Sequence, residues 1–155
     1  MTNNQPTSQT NNSTPKPNRL IRYLSILVLV LAVVTAAVPG ILVIMRRADA
    51  QVALGNAKSL RIALDVASTE AYGAGRPFRN VSLEGGVAEE VWRKVIMDSK
   101  VPGDFWVLQT DESGYEVLRF LYREGDFTVS YSKEPLTYEV YYQQTYIQTQ
   151  YNAVY

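Results

Sequence analysis

The chain has 155 residues, which is room for one small domain, and its 15 basic and 15 acidic residues cancel. It contains no cysteine and no histidine, which excludes a thiol nucleophile, a disulfide framework, a zinc site with the usual ligands and the commonest general base. Mechanisms based on a Ser/Lys pair or on paired carboxylates stay open, but no spacing in the chain indicates one. We therefore expect neither enzymatic activity nor a cofactor.

The charge is distributed unevenly along the chain. Up to Arg61 there are seven basic residues against Asp49 alone, and the remainder is net acidic. The basic residues flank a hydrophobic segment and form no patch with interleaved aromatic residues, so nucleic acid is not an expected partner. Anionic lipid attracts basic residues that flank such a segment, and the lipid bilayer is the first partner that the sequence predicts.

Residues 1–18 consist mainly of Asn, Thr, Gln, Ser and Pro, with almost no apolar side chains. Such a segment buries too little surface to offset the entropy of ordering it, and we expect a disordered tail. Pro15 and Pro17 prevent a helix from starting before Asn18, whose side chain is suited to cap a first turn.

Residues 19–45 are predicted to form a transmembrane helix. From Tyr23 to Met45 the chain runs for 23 residues without a charge, and about 20 apolar residues in a helix cross a bilayer. A cleaved signal peptide is the alternative, because Ala48-Asp49-Ala50 has the form of a cleavage site. Such peptides have an apolar core of only about 7–15 residues, so an uncleaved anchor is favoured.

A kink is predicted inside this span, at Pro39 and Gly40. Proline removes one backbone hydrogen bond and bends the helix. Membrane helices tolerate this where neighbouring helices or the lipid geometry satisfy the freed backbone groups.

Residues 46–73 are predicted to continue the same helix beyond the membrane as an amphipathic segment. Alanine and leucine recur there at three- and four-residue steps, which places them on one face. The small residues Ala53 and Ala57, in the lower part of this face, permit close approach and are expected to contact sister subunits. The alternative is that the whole face packs on its own domain. In the upper part, three residues are expected to pack on a sheet: Leu60, Leu64 and Ala67.

Residues 74–155 are predicted to form a loop, a short helix and an antiparallel sheet. From Val87 to Asp98, apolar residues at four-residue steps and acidic residues near the start are typical of a helix. From Phe105 onward the period changes to two, and short turns make consecutive strands antiparallel neighbours. With the long helix packed on one face of this sheet, the fold class is α+β. The predicted strands are Phe105–Thr110, Tyr115–Arg123, Phe127–Ser132 and Tyr138–Tyr151.

The last of these segments has an unusual composition. Tyr138–Tyr151 is rich in Tyr, Gln and Thr and carries one charge and no proline, a composition prone to pair at a sheet edge. The simple interpretation is one long final strand. The alternative is a subunit-contacting surface with Tyr141, Tyr142 and Tyr146 as candidates, because tyrosine provides amphipathic contact area at low entropic cost.

Three acidic residues, Asp111, Glu112 and Asp126, lie in turns that connect the predicted strands. Calcium binds six or more oxygen ligands, so three carboxylates in two separate turns are weak support for a calcium site. Solvated turn residues are the simpler interpretation.

Four stretches occur in an order that is found in a known family. Val38-Pro39-Gly40 places a proline inside the apolar run, and residues 56–64 read Asn-Ala-Lys-Ser-Leu-Arg-Ile-Ala-Leu. Residues 101–106 read Val-Pro-Gly-Asp-Phe-Trp, and residues 113–115 read Ser-Gly-Tyr. In this order they resemble the kinked helix, the Asn-Leu-Lys-x-Ile-x-x-Ala-Leu stretch and the first-strand elements of type IV pilins and of the pseudopilins of type II secretion and competence systems. The resemblance covers about residues 20–132 and implies a pilin-like fold.

One part of the family pattern is missing. Prepilins are cut after a glycine, and a glutamate follows a few residues into the mature chain. Here no glycine occurs before Gly40, and Arg22 stands near the position of that glutamate. We therefore expect no processing of the usual kind. The chain is then an unprocessed pilin-like component, or a protein that kept the pilin shape for another membrane task.

The resemblance implies a structural role in protein transport or pilus assembly. We expect a single-pass cell-membrane protein with an extracytoplasmic C-terminal domain that acts as a pilin-like or pseudopilin-like subunit of a type IV pilus, type II secretion or competence-type machine. Its expected partners are other pilin-like subunits or secretion-platform proteins. Basic residues flank the span on both sides, so the orientation follows from the resemblance and not from charge. The alternative is a free-standing single-pass protein with a small extracytoplasmic binding or sensory domain.

Overall fold

The computed structural model describes residues 19–151, without the side chain of Tyr151. The predicted disorder of residues 1–18 therefore lies outside the described residues. The chain divides into two compact units, of which the first ends at Leu42 and the second begins at Val43. We call the second unit the C-terminal domain.

A single helix, α1, covers Arg19–Gly73. Up to Met45 its large apolar side chains are exposed, and among the described residues it is the one helix that is long and apolar enough to cross a membrane. This is compatible with single-pass anchoring. Pro39 lies inside α1, and a Cβ built on Gly40 would meet no atom within 4 Å. The kink at these two residues stays a prediction.

The connection between α1 and the sheet contains two short elements. Gly75, with a φ of 63°, follows the end of α1 in the left-handed conformation that helix ends favour. The chain then forms a 3₁₀ turn at Glu84–Gly86 and the helix α2 at Glu89–Ser99. α2 starts later than predicted because Val87 is buried and pairs with Arg79 in an isolated β-bridge.

Five strands form one antiparallel sheet, and each strand pairs with the next one along the chain. This is the arrangement that the short turns predicted. β1 and β5 are the edge strands. The strands are β1 (Asp104–Thr110), β2 (Val117–Glu124), β3 (Phe127–Ser132), β4 (Thr137–Tyr142) and β5 (Thr145–Tyr151).

The prediction of one long final strand is wrong. Residues 138–151 form a hairpin of β4 and β5, joined by Gln143 and Gln144. Both glutamines have positive φ, 45° and 72°, the left-handed conformation that a two-residue hairpin turn of type I′ needs at both central positions. Such turns normally contain Asn, Asp or Gly. A pair of glutamines therefore gives no turn signal in the sequence.

The core of the C-terminal domain lies between α1 and one face of the sheet. α1 contributes alanine and leucine side chains, and the strands contribute valine and aromatic side chains. The rings of Phe120 and Tyr131 stack with their centroids 4.8 Å apart, and the centroids of Tyr131 and Tyr138 are 5.1 Å apart. The predicted α+β arrangement of a long helix and an antiparallel sheet is confirmed.

Candidate functional site

The sheet-facing side of α1 holds the residues predicted for helix–sheet packing. Leu60, Leu64 and Ala67 are buried and belong to the same hydrophobic cluster as the strands. Complete burial of a leucine side chain is worth about 1.5–3 kcal/mol. This line of side chains therefore contributes strongly to the packing of α1 on the sheet.

A polar network adds to this packing. The side-chain amide of Asn56 donates a hydrogen bond to the Glu124 carboxylate at 2.8 Å, and the Tyr122 hydroxyl donates to the same oxygen at 2.8 Å. Tyr122 is fully buried, and its burial together with its hydrogen bond to Glu124 raises the pKa of the phenol. The buried hydroxyl thus has the partner that a buried polar group requires.

Three basic side chains of α1 lie over tyrosine rings of the sheet. All three are within about 6 Å of the ring centroid, the range of cation–π attraction. The tyrosines belong to β4 and β3, and their side chains face α1. The pairs are Arg46 over Tyr142 at 4.8 Å, Lys58 over Tyr138 at 5.8 Å and Arg61 over Tyr131 at 5.2 Å.

α1 crosses the face of the sheet from one end of the strands to the other. Arg46 lies over Tyr142, where β4 enters the turn at residues 143–144. The start of β1 and the turn between β2 and β3 lie at this same end of the strands. We call this end of the strands the near edge of the sheet, as distinct from the edge strands β1 and β5. Further along α1, the Ser68 hydroxyl donates to the carbonyl of Tyr115 at 2.5 Å. Tyr115 lies in the β1–β2 turn, on the side that we call the far edge.

The structure places Ala53 and Ala57 in the core of the domain. Both side chains are buried against the sheet. This burial leaves no surface at these two positions for a second subunit. The face of α1 that was predicted to contact sister subunits is therefore the face that the sheet covers.

The opposite face of α1 is exposed and uncharged. Its residues follow steps of three and four, the period of helices that pack against other helices. Val52, Ile62 and Val66 are 57%, 65% and 45% exposed, and a Cβ built on Gly55 would meet no atom within 4 Å. We call this line of exposed residues the outward stripe: Val52, Gly55, Ser59, Ile62, Val66 and Thr69.

The three candidate tyrosines lie in the hairpin of β4 and β5, but not on one face. Tyr142 faces α1, beneath Arg46. Tyr141 and Tyr146 form an edge-on aromatic pair with centroids 5.9 Å apart, and the Tyr141 hydroxyl donates to the Glu139 carboxylate at 2.6 Å. Tyr146 lies on the edge strand β5 and is 53% exposed. Of the three, it offers the most surface for a contact.

The three turn acids considered for calcium do not come together. Asp111 and Glu112 lie at the far edge of the sheet and Asp126 at the near edge. Asp111 accepts hydrogen bonds from the Ser113 hydroxyl at 2.6 Å and the Tyr115 N–H at 3.1 Å, and the Ser113 bond lowers the pKa of this carboxyl. Its carboxylate thus shapes the turn. Within residues 19–151 no group of three metal-binding side chains is found.

A groove of about 450 Å³ lies between the end of α1 and the helix α2. Two ion pairs join residues along its walls. Arg76 lies 2.5 Å from Glu90, and Lys94 lies 3.2 Å from Glu70. Exposed pairs of this kind contribute about 0–1 kcal/mol, so they add little to the stability of the domain.

Comparison of the chain with protein-family models, with curated proteins and with solved structures finds no match. The geometry of the described residues is therefore the basis for a functional proposal. Exposed apolar side chains in a helical line are typical of contacts with other proteins. The outward stripe is the strongest candidate surface on this criterion.

Proposed function

We propose that the chain is a membrane-anchored, pilin-like structural subunit that joins neighbouring subunits through the outward stripe of α1. The observation that carries the proposal is the exposure of Val52, Ile62 and Val66 on the face of α1 away from the sheet. A helix packed on its own domain normally presents charged and polar side chains on that face. Here the face is uncharged over about five helical turns, at 3.6 residues a turn.

The composition of the stripe suits close packing of helices. Gly55 and Ser59 permit the backbones to approach, and the larger apolar residues fill the space on either side. Packed helices have axes about 8–10 Å apart. With alternating steps of three and four residues, side chains of one helix fit between those of the next.

The anchoring half of the proposal rests on the apolar first part of α1. We place the C-terminal domain on the extracytoplasmic side, in a type IV pilus, type II secretion or competence-type machine, with other pilin-like subunits or platform proteins as partners. Mass spectrometry of the protein extracted from membranes should detect residues 1–18 still attached. A mature chain that starts at Gln51 would instead identify a cleaved signal peptide.

Cross-linking in native membranes tests the assembly half. The chain has no cysteine, so each introduced cysteine is unique. With a short bifunctional thiol reagent, Ile62→Cys and Val66→Cys should each give dimers, and the double variant Ile62→Cys/Val66→Cys, which has two thiols in each chain, should give higher ladders. Arg119→Cys is the matched control, because this exposed side chain lies on the face of the sheet away from α1. Monomers alone at all three positions would refute the assembly role.

The groove between α1 and α2 favours a second candidate, a free-standing membrane protein with a binding or sensory domain. Its volume is within the range of small-molecule sites, and its walls combine apolar residues with a few charged groups. In that case the Ile62→Cys variant stays monomeric, and Arg76→Ala changes the response of the cell without changing the amount of protein in the membrane. If assembly is the role, Arg76→Ala leaves the cross-linked ladder intact.

A further inference from the structure

The near edge of the sheet lies at the level of α1 where the apolar run ends. We infer that this edge rests on the phospholipid headgroups of the bilayer that anchors the chain, with the Arg46 guanidinium and Tyr142 as contact groups. The inference rests on the proposed anchoring by α1. It adds that the domain is held against the membrane and does not stand free of it.

The position of Arg46 shows where along α1 the headgroup layer begins. Within the C-terminal domain, Val43, Ile44 and Met45 are exposed apolar residues, and Arg46 follows them directly. The headgroup layer is about 5–7 Å thick on each side of the bilayer, which is about four helical residues at about 1.5 Å each. It therefore surrounds α1 from Arg46 to about Asp49.

The hairpin of β4 and β5 reaches this same level. The Arg46 guanidinium lies 4.8 Å from the centroid of the Tyr142 ring, so the turn that follows Tyr142 lies beside the start of the headgroup layer. The backbone N–H of Gln143 donates to the carbonyl of Asp126 at 2.9 Å, which joins this turn to the β2–β3 turn. The near edge is thus one connected surface.

The chemistry of this surface suits phospholipid headgroups. Arginine donates hydrogen bonds in a planar fork that matches a phosphate group. Tyrosine concentrates at membrane interfaces, because its ring lies among apolar chains while its hydroxyl stays in the polar layer. Tyr142 is half-buried beneath Arg46, and Arg47 adds a second positive charge next to Arg46. Because every phospholipid carries a phosphate, the contact does not depend on an anionic headgroup.

The turn itself is held in a conformation that costs free energy. Gln143 and Gln144 are both exposed and both left-handed. This conformation is unfavourable for a residue with a Cβ, which lies too close to the following carbonyl oxygen. Strain of this kind concentrates at functional positions. Glutamine offers a long polar side chain there that glycine would not.

Quenching of a fluorophore by lipid-bound nitroxide tests the inference on the full chain. The fluorophore is attached to one introduced cysteine, in phosphatidylcholine vesicles that contain a lipid with a nitroxide on its headgroup. Gln144→Cys probes the near edge. Glu112→Cys, in an exposed turn at the far edge, is the matched control. Ile44→Cys reports whether α1 is in the bilayer at all.

We expect the label at Gln144 to be quenched several-fold more strongly than the label at Glu112. Arg46→Ala should reduce the quenching at Gln144 and leave that at Ile44 unchanged. If quenching is equally weak at Gln144 and Glu112 but strong at Ile44, α1 is in the bilayer and the near edge does not contact the headgroups. That result would overturn the inference and leave the proposed anchoring intact. Absence of quenching at Ile44 would refute the anchoring itself, and the headgroup contact with it.

Discussion

The Arg61 guanidinium of α1 lies 5.2 Å from the centroid of the Tyr131 ring, and Tyr131 in turn stacks on Phe120 in the core. Arg61 is directly followed by Ile62, which is 65% exposed on the outward stripe. Consecutive residues of α1 thus lie on different surfaces of the helix. One surface stabilises the domain, and we propose that the other contacts neighbouring subunits.

Substitutions at two nearby positions of α1 should separate these roles. Leu64→Ala removes a fully buried side chain and should lower the free energy of unfolding by about 2–5 kcal/mol. A small domain has about 5–15 kcal/mol in total, so the loss is readily measured. Thermal melts of the full chain in mild detergent, followed by near-ultraviolet circular dichroism, give the comparison.

Ile62→Ala is the matched control. It truncates an exposed side chain on the same helix, and it should change the free energy of unfolding by less than about 0.5 kcal/mol. A Leu64→Ala variant that melts with the parent while its sheet stays folded would show that α1 does not pack on the sheet.

Alkaline pH should destabilise the C-terminal domain through its buried tyrosines. Burial raises the pKa of Tyr122, Tyr131 and Tyr138 above the ordinary value of 10.0. The folded chain therefore retains protons that the unfolded chain releases above about pH 10, and rising pH favours unfolding. Stability is fully present below about pH 10 and declines as the pH rises toward the folded pKa values. Urea midpoints at about pH 8 and about pH 11 measure the decline.

Tyr122→Phe is the control for this pH dependence. It removes one of the three titrating groups, so the free energy of unfolding should fall less steeply with alkaline pH than in the parent chain. The loss of the hydrogen bond to Glu124 lowers stability at both pH values and does not alter that slope. Equal stability of the parent chain at the two pH values would contradict the prediction.

The two left-handed glutamines predict a stabilising substitution. Gln144→Gly relieves a left-handed strain of about 1–2 kcal/mol and adds a glycine entropy cost of about 0.5–1 kcal/mol. The net gain should be about 0.5–1 kcal/mol in urea unfolding. Gln150→Gly, in strand β5, should destabilise the domain because it removes the hydrogen bond from Lys58 to Gln150. A loss of stability in Gln144→Gly would show that the turn has another conformation.

The fold followed largely from periodicity. The change from a helical period to a period of two near Phe105 marks the start of the sheet, and the turn at residues 124–126 contains the glycine that a hairpin turn favours. The turn at Gln143 and Gln144 could not be predicted in this way. Its conformation is imposed by the pairing of β4 with β5 and not by local preference.

The candidate surface was only partly visible in the sequence. Alanine and leucine on the buried face of α1 form a stronger pattern than the outward stripe, where Gly55, Ser59 and Thr69 dilute the apolar residues. Which of two stripes on one helix is covered depends on where the sheet packs, and a helical period alone does not specify this. The feature of the sequence that indicates the outward stripe is the spacing of three and four residues from Val52 to Val66.

The most direct test of the central claim is the distance between α1 helices of neighbouring copies in a membrane. A spin label on Ile62→Cys in the full chain, reconstituted in liposomes, should show an intermolecular dipolar distance consistent with helix axes about 8–10 Å apart. The same label on Arg119→Cys should show only longer distances. If the Ile62 label shows the featureless decay of separated molecules at every protein density, the outward stripe does not join subunits and the proposed assembly role is contradicted.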